Sequence, residues 1–206
     1  MEQKENLPVS DPRQKKQKRW DEIATQVETI GDKLGKGIDG DIKETVIAFR
    51  VLSFETTASC EGHLGWGVAS PWVDIEPVPR GQRDELIKRY RVVNEEIEKE
   101  EALDMESEKL GDPYGQLHKL DVERDNLVLP EIKRLAGLLE EFYAGRDTNF
   151  GARIIMDVRP WAAHLQCQGA EIQRINEPDV KARSLEKYQA EFKALTEFLK
   201  KKYFEA

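Results

Sequence analysis

Apolar residues recur every three to four positions at Trp20, Ile23, Val27, Ile30 and Leu34, the period of a helix with one buried stripe. Asp11-Pro12 ahead of them has the form of a cap followed by a first-turn proline, so a first helix is predicted from there. Gly35, Gly37 and Gly40 break the pattern, and Ile42, Val46 and Phe49 mark a second helix ending near Leu52. The period then changes to two. Phe54-Glu-Thr-Thr-Ala-Ser-Cys60 is rich in strand formers, and Pro71-Trp-Val-Asp-Ile-Glu-Pro77 alternates, with Trp72, Asp74 and Glu76 on one face and Val73 and Ile75 on the other. Between these strands runs a glycine-rich connection from Gly62 to Ser70, where backbone can come close to a ligand.

From Arg80 to about Phe142 the pattern returns to charged helix. Leu86, Tyr90, Val93 and Ile97 form one stripe; Leu117, Leu120, Leu127, Leu135, Leu138 and Phe142 form a returning one, with Gly111-Asp-Pro-Tyr-Gly115 as the turn. Residues 80–143 thus read as an antiparallel helical hairpin inserted into the sheet, with Pro130 kinking or interrupting its second arm. Ala152 to Val158 and Ala162 to Gln168 read as two further strands across the Arg159-Pro160 turn. A last helix carries Leu185, Tyr188, Phe192, Leu195 and Leu199 and closes on Lys200-Lys201-Lys202. The fold class expected is α/β of the α+β kind: a small, mostly antiparallel sheet flanked by helices. Residues 1–11 form a disordered polar tail, and 12–206 one domain.

The 206 residues, 39% of them hydrophobic, are enough for a sizeable core. A formal net charge of -8 opposes indiscriminate binding to a polyanion. No run approaches the ~18 apolar residues of a membrane span, and the start lacks a secretory apolar segment, so no membrane partner and a cytoplasmic location are expected. In that compartment the two cysteines, Cys60 and Cys167, are thiols rather than a disulfide.

The chemistry-bearing residues gather in two segments, Ser59-Cys60-Glu61-Gly62-His63 and His164-Leu165-Gln166-Cys167. Two cysteines and two histidines invite a tetrahedral zinc site. Zinc is nevertheless disfavoured, because three residues along a regular strand point the side chains to opposite faces; Gly62 offers a bend in the first pair and nothing comparable exists in the second. The plainer alternative makes Cys167 a buried inert thiol and His164 a satisfied strand residue. For Cys60, a histidine three positions away points to thiol activation or proton shuttling. The spacing of a phosphate-binding glycine loop is absent.

Three ordered segments, Asp32-Lys-Leu-Gly-Lys-Gly-Ile-Asp39, Thr56-Thr-Ala-Ser-Cys-Glu-Gly-His63 and Arg159-Pro-Trp-Ala-Ala-His-Leu-Gln-Cys167, resemble the motifs of the wybutosine-synthesis tRNA methyltransferase family. The resemblance covers about residues 20–76 and 150–175. It implies an α/β fold, S-adenosylmethionine as methyl donor and a modified guanosine of tRNA as acceptor. By position, Ser59, Cys60, Gly62, His164 and Cys167 match the family's segments. His63 stands where the family has arginine and Glu61 where it has serine, exchanges that remove a fixed cation and add a negative charge.

The site expected on this basis has Cys60, Glu61, His63 and His164 as catalytic residues and Lys36, Asp39, Ser59, Gly62, Trp66 and Cys167 as substrate- or cofactor-binding ones. Two other classes stand beside this one: a non-enzymatic scaffold using the helical hairpin for a protein partner or for self-association, and a zinc-binding module. A basic run, Arg13, Lys15, Lys16, Lys18 and Arg19, precedes Trp20 and offers phosphate contacts to RNA. The alternative for Trp20 is a place in the core, on its helix's apolar stripe.

Overall fold

The computed structural model describes residues 11–31, 35–103, 112–175 and 177–206. The tail over residues 1–10, Leu34 of the first apolar stripe, and Gly111 of the hairpin turn lie outside the described residues.

Helix α1 (Pro12–Glu28) starts as expected, with the Asp11 carboxylate accepting the Arg13 N–H at 3.0 Å. It stops earlier than its apolar stripe implies. The Thr29 hydroxyl donates to the Gln26 carbonyl, and the Ile30 N–H turns back to Val27, tightening the last turn just before Gly31. Ile30 therefore leaves the helix and joins the segment that leads to α2 (Gly40–Val51). Nearly every apolar residue of α2 is buried.

Four strands, β1 (Glu55–Cys60), β2 (Trp72–Glu76), β3 (Ile154–Arg159) and β4 (Ala162–Cys167), form one antiparallel sheet in the order β1-β2-β4-β3. The fold is α+β, with five α-helices among the described residues. Val73 lies opposite Leu165 and Asp74 opposite His164, so alternation sorts the sheet into two faces. Val73, Ile75, Ala163, Leu165, Cys167 and Ile154 enter the core with α2, α4 and α5. Trp72, Asp74, His164 and Gln166 share the other face.

Between β2 and β3 stand α3 (Arg80–Leu103) and α4 (Pro113–Tyr143). Arg89 pairs with Glu123 at 2.7 Å, and the Tyr90 hydroxyl donates to Asp121 at 2.8 Å, an antiparallel register. Their shared seam, Leu86, Val93 and Leu120, is a cluster separate from the main core. Pro130 does not interrupt α4. A proline removes one helical hydrogen bond, and here Val128 and Ile132 beside it are held in the core, which offsets that loss. Helix α5 (Pro178–Glu205) completes the core through Phe192, Leu195 and Leu199, and buried Thr196 bonds to Thr45 of α2 at 2.7 Å. No helix of the described residues is long and apolar enough to cross a membrane.

Candidate functional site

Strand β1 has a sheet neighbour on one side only. Across from it stand Ile30, Gly31 and residues 36–39, around a cavity of about 320 Å³. Lys36 and Asp39 line it from the loop, Thr57, Ser59 and Cys60 from the strand, and Trp66 and Trp72 close it with aromatic surface. The first two of the three family-like segments thus converge on one space, whereas His164 and Cys167 do not line it.

At the Cys60 end, donor atoms of Asp39, Cys60 and His63 lie within 4.8 Å of one another. His63 Nε2 is 3.2 Å from Asp39 Oδ2, and Lys36 Nζ is 3.0 Å from Oδ1 of the same carboxylate. Burial alone would raise the Asp39 pKa, but hydrogen bonds from Lys36, the Glu61 backbone and His63 outweigh it and hold the carboxyl below its ordinary value. The Cys60 thiol is shifted the other way: burial pushes it up, against an opposing hydrogen bond from the Gly62 N–H to Sγ at 3.3 Å. The Trp66 indole stacks on the His63 ring with centroids 3.9 Å apart, and Lys36 Nζ stands 4.9 Å above that indole.

Gly62 makes this cluster possible. Its φ of +83° turns the chain at the end of β1, so Cys60 and His63 face the same carboxylate instead of opposite sides of a strand. Glu61 points elsewhere: its carboxylate accepts the Asp41 N–H at 3.0 Å, satisfying an end group of α2 from 20 residues away. Its carbonyl accepts from Gln189 of α5 at 3.1 Å, which ties the turn to the core helices.

The later segment divides. Cys167 is fully buried in the core, where desolvation pushes its thiol up to about 12. His164 is on the opposite face, with Nδ1 2.6 Å from Asp74 Oδ1 and Nε2 3.3 Å from Gln166 Oε1. The Trp72 ring lies 5.4 Å from the His164 ring and also borders the β1 cavity, so one indole separates the histidine–aspartate pair from the cavity. The Asp74–His164 pairing escapes a sequence reading because it spans 90 residues and depends on β2 lying beside β4. The alternation that placed Asp74 and Trp72 on one face was the available signal.

Compared with protein-family models, curated proteins and solved structures, the chain matches none.

Proposed function

We propose that this protein is an S-adenosylmethionine-dependent methyltransferase acting on a nucleoside of RNA, with the cavity along β1 as donor pocket and the Trp72–His164 face as acceptor site. The observation that carries the reading is the convergence of Lys36, Asp39, Ser59 and Cys60 on one cavity, because these residues come from two of the three segments with the family resemblance. Its size lies within the range of small-molecule sites. The residues suit such a donor: indole surface for a purine, the Lys36 ammonium for a carboxylate, Asp39 and the Ser59 and Thr57 hydroxyls for a ribose diol. When bound, the donor supplies an electrophilic methyl group.

Across Trp72, the Asp74 carboxylate holds the His164 ring through Nδ1, and Nε2, beside the Gln166 carboxamide at 3.3 Å, takes the proton an acceptor nitrogen loses when that side chain turns aside. The departures from the family segments bear on substrate rather than on this division. Arg13, Lys15, Lys18 and Arg19, exposed on α1, add phosphate contacts, whereas Lys16 donates to the Phe204 carbonyl and Trp20 is taken up by ring contacts with Tyr203 and Phe204.

Thermal unfolding with S-adenosylmethionine or S-adenosylhomocysteine is the direct test. Donor at ~100 times its dissociation constant adds about 2.7 kcal/mol of stability, and Lys36→Ala removes most of that gain. Asp74→Asn leaves the gain intact and lowers methyl transfer to tRNA by about 10²–10⁴. Absence of stabilisation by either nucleoside in the native chain would sink the reading.

A second reading, protein contact through the helical hairpin, rests on the exposure of Val92 on α3 and of Tyr114, Val122 and Leu129 on α4. Val92→Glu then shifts the sedimentation coefficient of a self-associating protein towards the monomer; an identical sedimentation profile removes self-association through this face.

A further inference from the structure

The tetrad formed by Lys36, Asp39, Cys60 and His63 has a feature that donor binding does not use. Three of its members offer one soft sulfur, one imidazole nitrogen and one carboxylate oxygen to a common point. We propose that Asp39 Oδ2, Cys60 Sγ and His63 Nε2 bind a zinc-class divalent cation, with a remaining coordination position open for water or for a ligand in the β1 cavity.

The distances fit the ion. Zinc with sulfur at about 2.3 Å and nitrogen or oxygen at about 2.0–2.1 Å places tetrahedral donor atoms about 3.3–3.6 Å apart. The 3.2 Å between His63 Nε2 and Asp39 Oδ2 is already close to that edge, and the 4.8 Å limit on the whole set requires a movement of no more than about 1.5 Å, within reach of side-chain rotation. A sulfur, nitrogen and oxygen set suits zinc or cobalt and does not suit magnesium or calcium, which take oxygen.

The surroundings orient each donor. Lys36 occupies Asp39 Oδ1 at 3.0 Å, which turns the other oxygen to the site as a single-point ligand. The Gly62 N–H directed at Cys60 Sγ at 3.3 Å stabilises a thiolate. Trp66, stacked on His63, fixes the plane of the imidazole. All three donor residues are half-buried or buried, so little water competes. Loading is balanced by one proton: the Cys60 thiol releases it to solvent as the sulfur–metal bond forms, while a neutral His63 ring moves its proton from Nε2 to Nδ1. Because loading releases that proton, affinity rises with pH.

This inference draws on Asp39 and Lys36, which the methyl-donor reading also uses, so its test contains no donor. The full chain is titrated with cobalt(II) alone, and the thiolate-to-cobalt charge-transfer absorption is read. One equivalent per chain is expected, displaced by zinc. Cys60→Ser abolishes the band and Cys167→Ser preserves it; His63→Ala and Asp39→Asn each weaken cobalt binding by at least about tenfold. Circular dichroism of each variant separates ligand loss from unfolding, and Asp39→Asn retains the shape of the carboxylate it replaces. No charge-transfer band in the native chain, or a band that survives Cys60→Ser, overturns the proposal. Donor binding measured in a chelator reports separately on the β1 cavity.

Discussion

A methyl group added at Gly62 would sit 2.7 Å from Leu185 Cδ1 and 2.7 Å from the Ser70 carbonyl carbon, on a residue with φ of +83°. The left-handed backbone costs a non-glycine residue about 1–2 kcal/mol, and the overpacking another 1–3 kcal/mol. Gly62→Ala should therefore lower the unfolding free energy measured in urea by about 2–5 kcal/mol; a loss below about 1 kcal/mol would show that the turn relaxes freely. The glycine itself was legible as a turn residue, and so were Cys60 and His63 as a pair whose cooperation required a bend. Their meeting with Asp39 was not, because it depends on residues 36–39 lying beside a strand that begins 16 residues after Asp39. Glu61 shows the opposite limit. A carboxylate between two candidate catalytic residues reads as chemistry, yet its partner is the Asp41 N–H at the start of α2.

That contact acts at the level of elements. Asp39 occupies the position before α2 but makes no side-chain cap bond, being held by Lys36 and His63. Glu61 supplies the missing acceptor, so the helix start and the site turn are stabilised together. Glu61→Ala should cost about 1 kcal/mol, and Glu61→Gln, which keeps an acceptor oxygen, less; equal costs for the two in chemical denaturation would exclude the capping role. The elements themselves were largely written in the periodicity. All four strands and all five helices follow changes between a period of two and a period near 3.6. The discrepancies arise where tertiary packing overrides local pattern: α1 gives up Ile30 to the cavity wall, and α4 runs through Pro130 because its neighbours are anchored in the core.

For the whole molecule, the buried Cys167 thiol and the half-buried Tyr90 and Tyr143 phenols, all pushed up by burial, shape the alkaline limit. Burial raises Cys167 to about 12 from 9.0, and burial together with Asp121 raises Tyr90 to about 12 from 10.0. Above pH 9 the unfolded chain sheds these protons while the folded chain keeps them, so stability is full below that pH and falls progressively towards pH 12. The melting temperature should drop over this window, and Cys167→Ala should flatten the part of the slope nearest pH 9; an unchanged slope would mean that this thiol does not control it. Strand order was the whole-molecule property least accessible from sequence, and it decides which residues meet, since β4 lies between β2 and β3 and carries His164 to Asp74. It also leaves β1 at the rim, with an uncharged stretch from Thr56 to Cys60. A neutral open strand edge is a template on which another chain can polymerise. The cavity lies along that edge, so a ligand held there, as proposed, would also shield the strand from another chain, and its supply would bear on how much of the protein escapes aggregation.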